Sequence, residues 1–124
     1  MIKTKHFMDS VEGDDGSRAW VEPIRLTKDL QEWCSVDEVL RMLGPPHDLW
    51  EWFANHPDGY EDFRGRYHEW LSRSPYRPML QALAGESLRG NFTLLHAGDD
   101  AERNCATALK EFITELAAYC PPDD

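Results

Sequence analysis

The chain has 124 residues, a length that supports one hydrophobic core and leaves no room for a second domain. At 41% hydrophobic, with 5 Trp, 5 Phe and 4 Tyr, its composition is that of a folded globular domain and not of a disordered segment. Lys and Arg total 13 against 23 Asp and Glu, a formal charge of -10 that repels phosphates and anionic headgroups, so nucleic acid and membrane surfaces are set aside as partners.

Ile2 to Met8 and Arg18 to Ile24 are short apolar segments separated by the glycine- and acid-rich Val11 to Gly16, and both are predicted strands. The residues from Asp9 to Ser17 are few for a crossover, which leaves open whether these two strands run parallel. Val36, Val39, Leu40 and Leu43 predict a helix over Asp37 to Leu43, stopped by Gly44-Pro45-Pro46. A brief helix over Asp48 to Ala54 carries Leu49, Trp50, Trp52 and Phe53, and Asn55-His56-Pro57 punctuates the next start.

Tyr60, Phe63, Tyr67, Trp70 and Leu71 then recur at helical steps as one apolar stripe, with Asp62/Arg66 and Glu69/Arg73 as acid-before-base pairs on the opposite face. Ser74-Pro75 opens a further helix with Met79, Leu80, Leu83 and Leu88 apolar. Asn91 to Ala97, NFTLLHA, is a continuous apolar run between Gly90 and Gly98, the pattern of a strand covered on both faces. The last helix is expected from about Asp100 to Tyr119, with Leu109, Phe112, Ile113 and Leu116 on one side, before a tail, Pro121 to Asp124, that cannot continue it and is expected to fray. Strands linked by helices predict an α/β fold: a single domain with a small, mostly parallel sheet of about three or more short strands flanked by helices.

Cys34, Cys105 and Cys120 are odd in number and lack the spacing of a zinc knuckle or redox pair, which fits reduced thiols in a cytosol. Neither a signal-peptide core nor a window approaching the ~18 apolar residues of a membrane span is present, so a soluble, cytoplasmic protein is the expectation. His6, His47, His56, His68 and His96 form no i,i+4 pair and have no cysteine at ligand spacing, and neither a metal nor a cofactor is expected. Arg64, Arg66, Arg73 and Arg77 crowd one segment, which reads as a solvated face with ion pairs before it reads as an anion site.

The stretch closest to chemistry is LLHAGDDAERNCATAL, Leu94 to Leu109, because ligands of open α/β sheets collect at the carboxyl ends of the strands. A catalytic reading would activate Cys105 at the helix start, with His96 or His56 as base and Asn104 as orienting group. Against it, Asp99 or Asp100 is expected to cap the helix, with Glu102 completing a capping box, so acids already face the dipole and would raise a thiol. Cys105 also falls on the Leu109 stripe and is expected in the core, and neither a Gly-x-Gly-x-x-Gly, a Walker loop nor a nucleophile elbow surrounds it. Asn104 points roughly 140° away from Leu109, towards solvent or a crevice.

The run LGPPHDLWEWFANHPDGYEDFRGRYHEWL, Leu43 to Leu71, resembles the short YeaO-like branch of the domain of unknown function 488 family. Pro45, Leu49, Trp52, Phe53, His56, Pro57, Phe63, Arg66, Tyr67 and Leu71 match its pattern, and Leu94-Leu95 followed by Asp99 and Asn104 is similar to its close. The resemblance spans nearly the whole chain and implies no established activity. Where that branch has Asp-Arg-Leu-Trp-Pro-Arg-Gly, this chain passes directly from Val21-Glu22-Pro23-Ile24-Arg25 to Leu26-Thr27-Lys28, and where it closes with Asn-His-Ala this chain has Asn104-Cys105-Ala106. A family function needing the missing groups is thereby put in question, although Asn104, Arg25 and Lys28 retain polar groups in that region.

Two functions follow. One is a domain that binds a small ligand or a protein partner without catalysis. The other is an enzyme acting on a small anionic or nucleotide-like substrate. Asn104, Asp99, Arg25, Lys28, His96 and His56 are the candidate pocket residues, and the enzyme reading requires Asn104, Arg25 and Lys28 to converge beside Asp99 and Asp100. An exposed Trp33 or Trp20 would point to a protein partner, and the number of tryptophans makes a homodimer an expectation.

Overall fold

The run expected to be covered on both faces is so covered: in a computed structural model that describes residues 1–119, β4 (Phe92–His96) is buried at every position and lies inside a four-stranded sheet. Its neighbours are β1 (Ile2–His6) on one side and β2 (Ser17–Trp20) on the other, both parallel to it, and the short β3 (Glu38–Val39) extends the sheet beyond β2. The expected small α/β domain with a mostly parallel sheet is thus present, and the sheet is entirely parallel.

The register sorts the two faces. Ile2, Ala19, Phe92 and Leu94 join the main core with Phe63, Tyr67, Leu71, Leu80, Leu109 and Ile113. Those residues come from α3 (Tyr60–Ser72), α4 (Arg77–Ser87) and α5 (Cys105–Ala118), whose apolar stripes cannot be satisfied except against the sheet. Trp20 and Leu95 face the other way and form a second cluster with Leu26, flanked by Phe7, Ile24, Val36 and Val39. No helix among the described residues is long and apolar enough to cross a membrane.

The question left open by the first two strands has a definite answer: β1 and β2 are parallel, and β4 lies between them. Residues 7–16 therefore act as a crossover without a helix, and a buried ionic centre holds them down. Asp15 and Arg18 are each 1% exposed. Asp15 accepts from Lys3 Nζ at 2.7 Å, Lys5 Nζ at 3.1 Å, Arg18 Nη1 at 2.9 Å and the Glu12 amide at 3.2 Å. Arg18 also donates to the carbonyls of Asp9 and Cys34, each at 3.0 Å, and of Ser35 at 3.2 Å, and so ties the crossover to the chain after the first helix. Gly16, at φ 63°, passes so close to Asn91 that a Cβ would lie 1.9 Å from its carbonyl oxygen, which only glycine tolerates.

Several predicted boundaries are corrected. The helix expected over Asp37 to Leu43 is absent. The Asp37 amide donates to Arg18 O and the Leu40 amide to Trp20 O, both at 2.8 Å, which draws Glu38–Val39 onto the edge of β2 before a 3-10 turn over Arg41–Leu43. Val36, Val39, Leu40 and Leu43 follow the helical i, i+3, i+4, i+7 spacing, but so short a run is overridden by pairing with the open edge of β2. In its place a helix, α1 (Lys28–Trp33), begins at Thr27, whose hydroxyl accepts from the Leu30 amide at 3.3 Å; it buries no residue and so left no stripe to detect. β1 stops at His6, before Met8, and β2 at Trp20, before Ile24, with Pro23 unable to pair. α2 (His47–Asn55) and α3 lie close to where the pattern placed them, and the Arg66–Asp62 and Arg73–Glu69 pairs form at 3.0 and 2.7 Å.

The last helix begins at Cys105 and not near Asp100, because Asn104 is its cap: Oδ1 accepts from the Thr107 amide at 2.9 Å. Asp100 instead closes the preceding turn by accepting from the Glu102 and Arg103 amides. The expected capping box between Asp99 and Glu102 does not form, because a buried asparagine nearer the apolar stripe satisfies the helix amides first. The tail expected to fray, Pro121 to Asp124, lies outside the described residues.

Candidate functional site

Parallel strands all end on the same side, and the cavity found there measures about 360 Å³. The chain leaving β2 contributes Glu22, α2 contributes Trp50 and Phe53, the chain leaving β4 contributes Ala97, Gly98 and Asp99, and the start of α5 contributes Asn104 and Cys105. Phe53 is backed by Phe63 of α3, with the rings stacked at 4.3 Å.

Glu22 organises this site and is only 4% exposed. Its Oε2 accepts from Trp50 Nε1 at 2.6 Å and from Cys105 Sγ at 3.5 Å, while Oε1 accepts from the Ala97 amide at 3.1 Å. One carboxylate therefore joins the ends of two strands and the faces of two helices. Among the described residues no Lys, Arg or His forms an ion pair with it.

Cys105 is buried, as the stripe predicted. Burial first, and the neighbouring Glu22 charge second, push its thiol well above the ordinary cysteine range. The same burial, with Cys105 and Glu22 nearby, raises the Tyr67 phenol, which donates to the Leu43 carbonyl. A thiol in this state is a poor nucleophile. Native protein treated with iodoacetamide at pH 8 is expected to leave Cys105 unmodified by peptide mass mapping and to label it fully in denaturant; fast labelling of the folded chain at pH 6 would contradict this.

The other candidate residues do not assemble into one constellation. Asn104 lines the cavity, but its amide is consumed by structure, Oδ1 in the helix cap and Nδ2 in a 2.8 Å bond to Asp100 O. Asp99 is exposed at the mouth and also lines a neighbouring cavity of about 320 Å³ with Lys5, His6, Asp9 and His96. His96 is buried there, and its Nδ1 has no hydrogen-bond partner of good geometry. Burial, then the adjacent His6, lower its pKa, so the imidazole is held neutral. His56 lies outside both cavities, with Nδ1 2.8 Å from Trp52 O and its ring stacked on Trp52 at 4.6 Å. Arg25 and Lys28 are exposed and line neither cavity.

Glu22, Trp50 and Phe53 were not among the residues singled out from sequence. The available signal for the first was a lone acid, Glu22, inside the otherwise apolar end of the predicted strand Arg18 to Ile24. Away from the cavity, Trp20 is buried, whereas Trp33 is 84% exposed beside Met8 and Val11.

Residues 1–120 match the family described as the inactive DUF488-N3 subclade, DUF488-N3i. Uncharacterized proteins of Mycobacterium bovis and Mycobacterium tuberculosis are similar to the chain, at 28% identity over 93 residues that cover 70% of it and 74% of each relative. No solved structure matches it.

Proposed function

Because the chain belongs to the inactive DUF488-N3 subclade, we propose that it is a binding protein, holding a small ligand in the strand-end cavity without transforming it. The observation that carries this reading is at position 105. Where the YeaO-like pattern closes with a histidine, this chain buries a cysteine that donates to Glu22, and no histidine lines the cavity among the described residues. A cavity of about 360 Å³ persists around a centre with neither a thiolate nor an imidazole base. The enzyme reading for an anionic substrate has less support, since Arg25 and Lys28 stand elsewhere and Glu22, Asp99 and Asp100 line the walls.

Thermal midpoints across a panel of nucleotides, phosphates, organic acids, amines and divalent metals test the proposal. A ligand at ~100 times its dissociation constant adds about 2.7 kcal/mol, a rise on the order of 10 °C for a domain of this size. The expected result is a rise with one ligand class, abolished in Trp50→Phe, with the ligand recovered unchanged. Recovery of a product would favour the enzyme reading, and a flat panel would remove the cavity from consideration.

Association with a second copy has one observation behind it, the exposed Trp33. Sedimentation velocity decides it: a dimer dissociated by Trp33→Ala supports this contact, and a monomer at high concentration removes it.

A further inference from the structure

We propose that the strand-end cavity is selective for an organic cation, an ammonium group with at least one N–H donor carried on a compact apolar body. This deepens the binding reading above and rests on it. The first observation is the state of Glu22. A buried charge is ordinarily paired, yet this carboxylate, 4% exposed, meets only neutral donors: an indole N–H, a backbone amide and a thiol. A carboxylate offers about four acceptor positions. The three donors leave room for one more, and Glu22 itself lines the cavity.

The second observation is the balance of charge around the cavity. Asp99 and Asp100 stand at the mouth, and among the described residues Arg103 is the only lysine or arginine in the lining. Its side chain is 64% exposed and approaches Asp100 at 4.0 Å, and it forms no ion pair with Glu22 among the described residues. Three carboxylates against one arginine disfavour a phosphate or a carboxylate ligand and draw a cation inward.

The third observation is the apolar wall beside Glu22. Trp50 and Phe53, with Ala54 and Pro57, supply an apolar and aromatic surface for the body of the ligand. Trp50 is held in place through its own bond to Glu22, so the acceptor and the apolar wall are fixed relative to each other before a ligand arrives. An ammonium at Glu22 would complete the missing ion pair while its hydrocarbon part covers this wall.

The test uses three probes of similar size that share a benzyl body and carry a cationic, a neutral or an anionic head group: phenethylammonium, 2-phenylethanol and phenylacetate, read by thermal midpoint and tryptophan fluorescence. The expected result is binding of the cation at least tenfold tighter than the alcohol and no binding of the acid. Glu22→Gln should level cation and alcohol, and Asp99→Asn, at the exposed mouth, should weaken the cation alone. Should Glu22→Gln fail to fold, the matched series on the parent chain still decides. Alcohol or acid binding as tightly as the cation would overturn the charge selectivity while leaving the cavity a ligand site. If the only midpoint shifts in the wider panel, lost in Trp50→Phe, come from neutral or anionic compounds, the selectivity likewise fails alone. If nothing binds at all, both readings fall.

Discussion

Replacing Asp15 with asparagine is expected to lower the unfolding free energy by about 3 kcal/mol, measured by urea denaturation at pH 7. The substitution keeps the shape but removes the charge facing Arg18, which is 1% exposed and anchored to the backbone on both sides. Breaking a buried pair from one side is costly because the remaining charge has lost its partner. The figure is taken at the low end because Lys3 and Lys5 retain some access to water and can turn outward.

The pH dependence follows from the same centre. Burial alone would raise the Asp15 carboxyl, but Lys3, the Glu12 amide, Arg18 and Lys5 outweigh it and hold the group well below the usual carboxylate range. A carboxylate with a depressed folded pKa contributes its stability above the unfolded value, about 3.9, and loses it as pH falls towards the folded one. The difference between the parent chain and Asp15→Asn should therefore be full at pH 6 to 7 and shrink below about pH 4. A small, pH-independent difference would mean that the crossover is held by Thr93 and Asn91, which bond the carbonyls of Asp15 and Asp14, and not by charge.

Phe63→Ala should cost about 3–5 kcal/mol, the range for truncating a large buried aromatic. Phe63 is fully buried, stacked on Phe53 and tilted against Tyr67 at 5.6 Å, so a void would open where α3 supports α2. Against a total stability of about 5–15 kcal/mol this leaves a marginal domain. The effect should extend to binding, because Phe53 is a cavity wall whose support is removed. A Phe63→Leu variant should lose less stability and retain the ligand-induced rise in midpoint. Equal losses in the two variants would show that the site collapses around either side chain and that ring stacking adds nothing.

The chain belongs to the inactive DUF488-N3 subclade, and its position 105 is a buried cysteine. Cys105 is a small buried core residue that also donates to Glu22. Asn104 caps α5, its Oδ1 accepting from the Thr107 amide.

By itself the sequence determined the features that depend on neighbours along the chain. The stripe of α3, the double burial of β4, the burial of Cys105 and the α/β class all follow from local period and composition, because a helix or strand exposes its pattern every few residues. Where a segment was too short for its period to count, as at Glu38–Val39, or buried nothing, as in α1, local pattern was silent or misleading. Only the tertiary structure decided which residues share a site. Glu22, Trp50, Ala97 and Cys105 meet because the chain leaving β2, the chain leaving β4, the face of α2 and the start of α5 come together at the carboxyl end of the sheet, and Arg25, Lys28 and His56 lie outside that cavity. Asp15 and Arg18 likewise read as an ordinary loop acid and strand base until the crossover over β4 encloses them, for burial is a property of the closed chain and not of any segment of it.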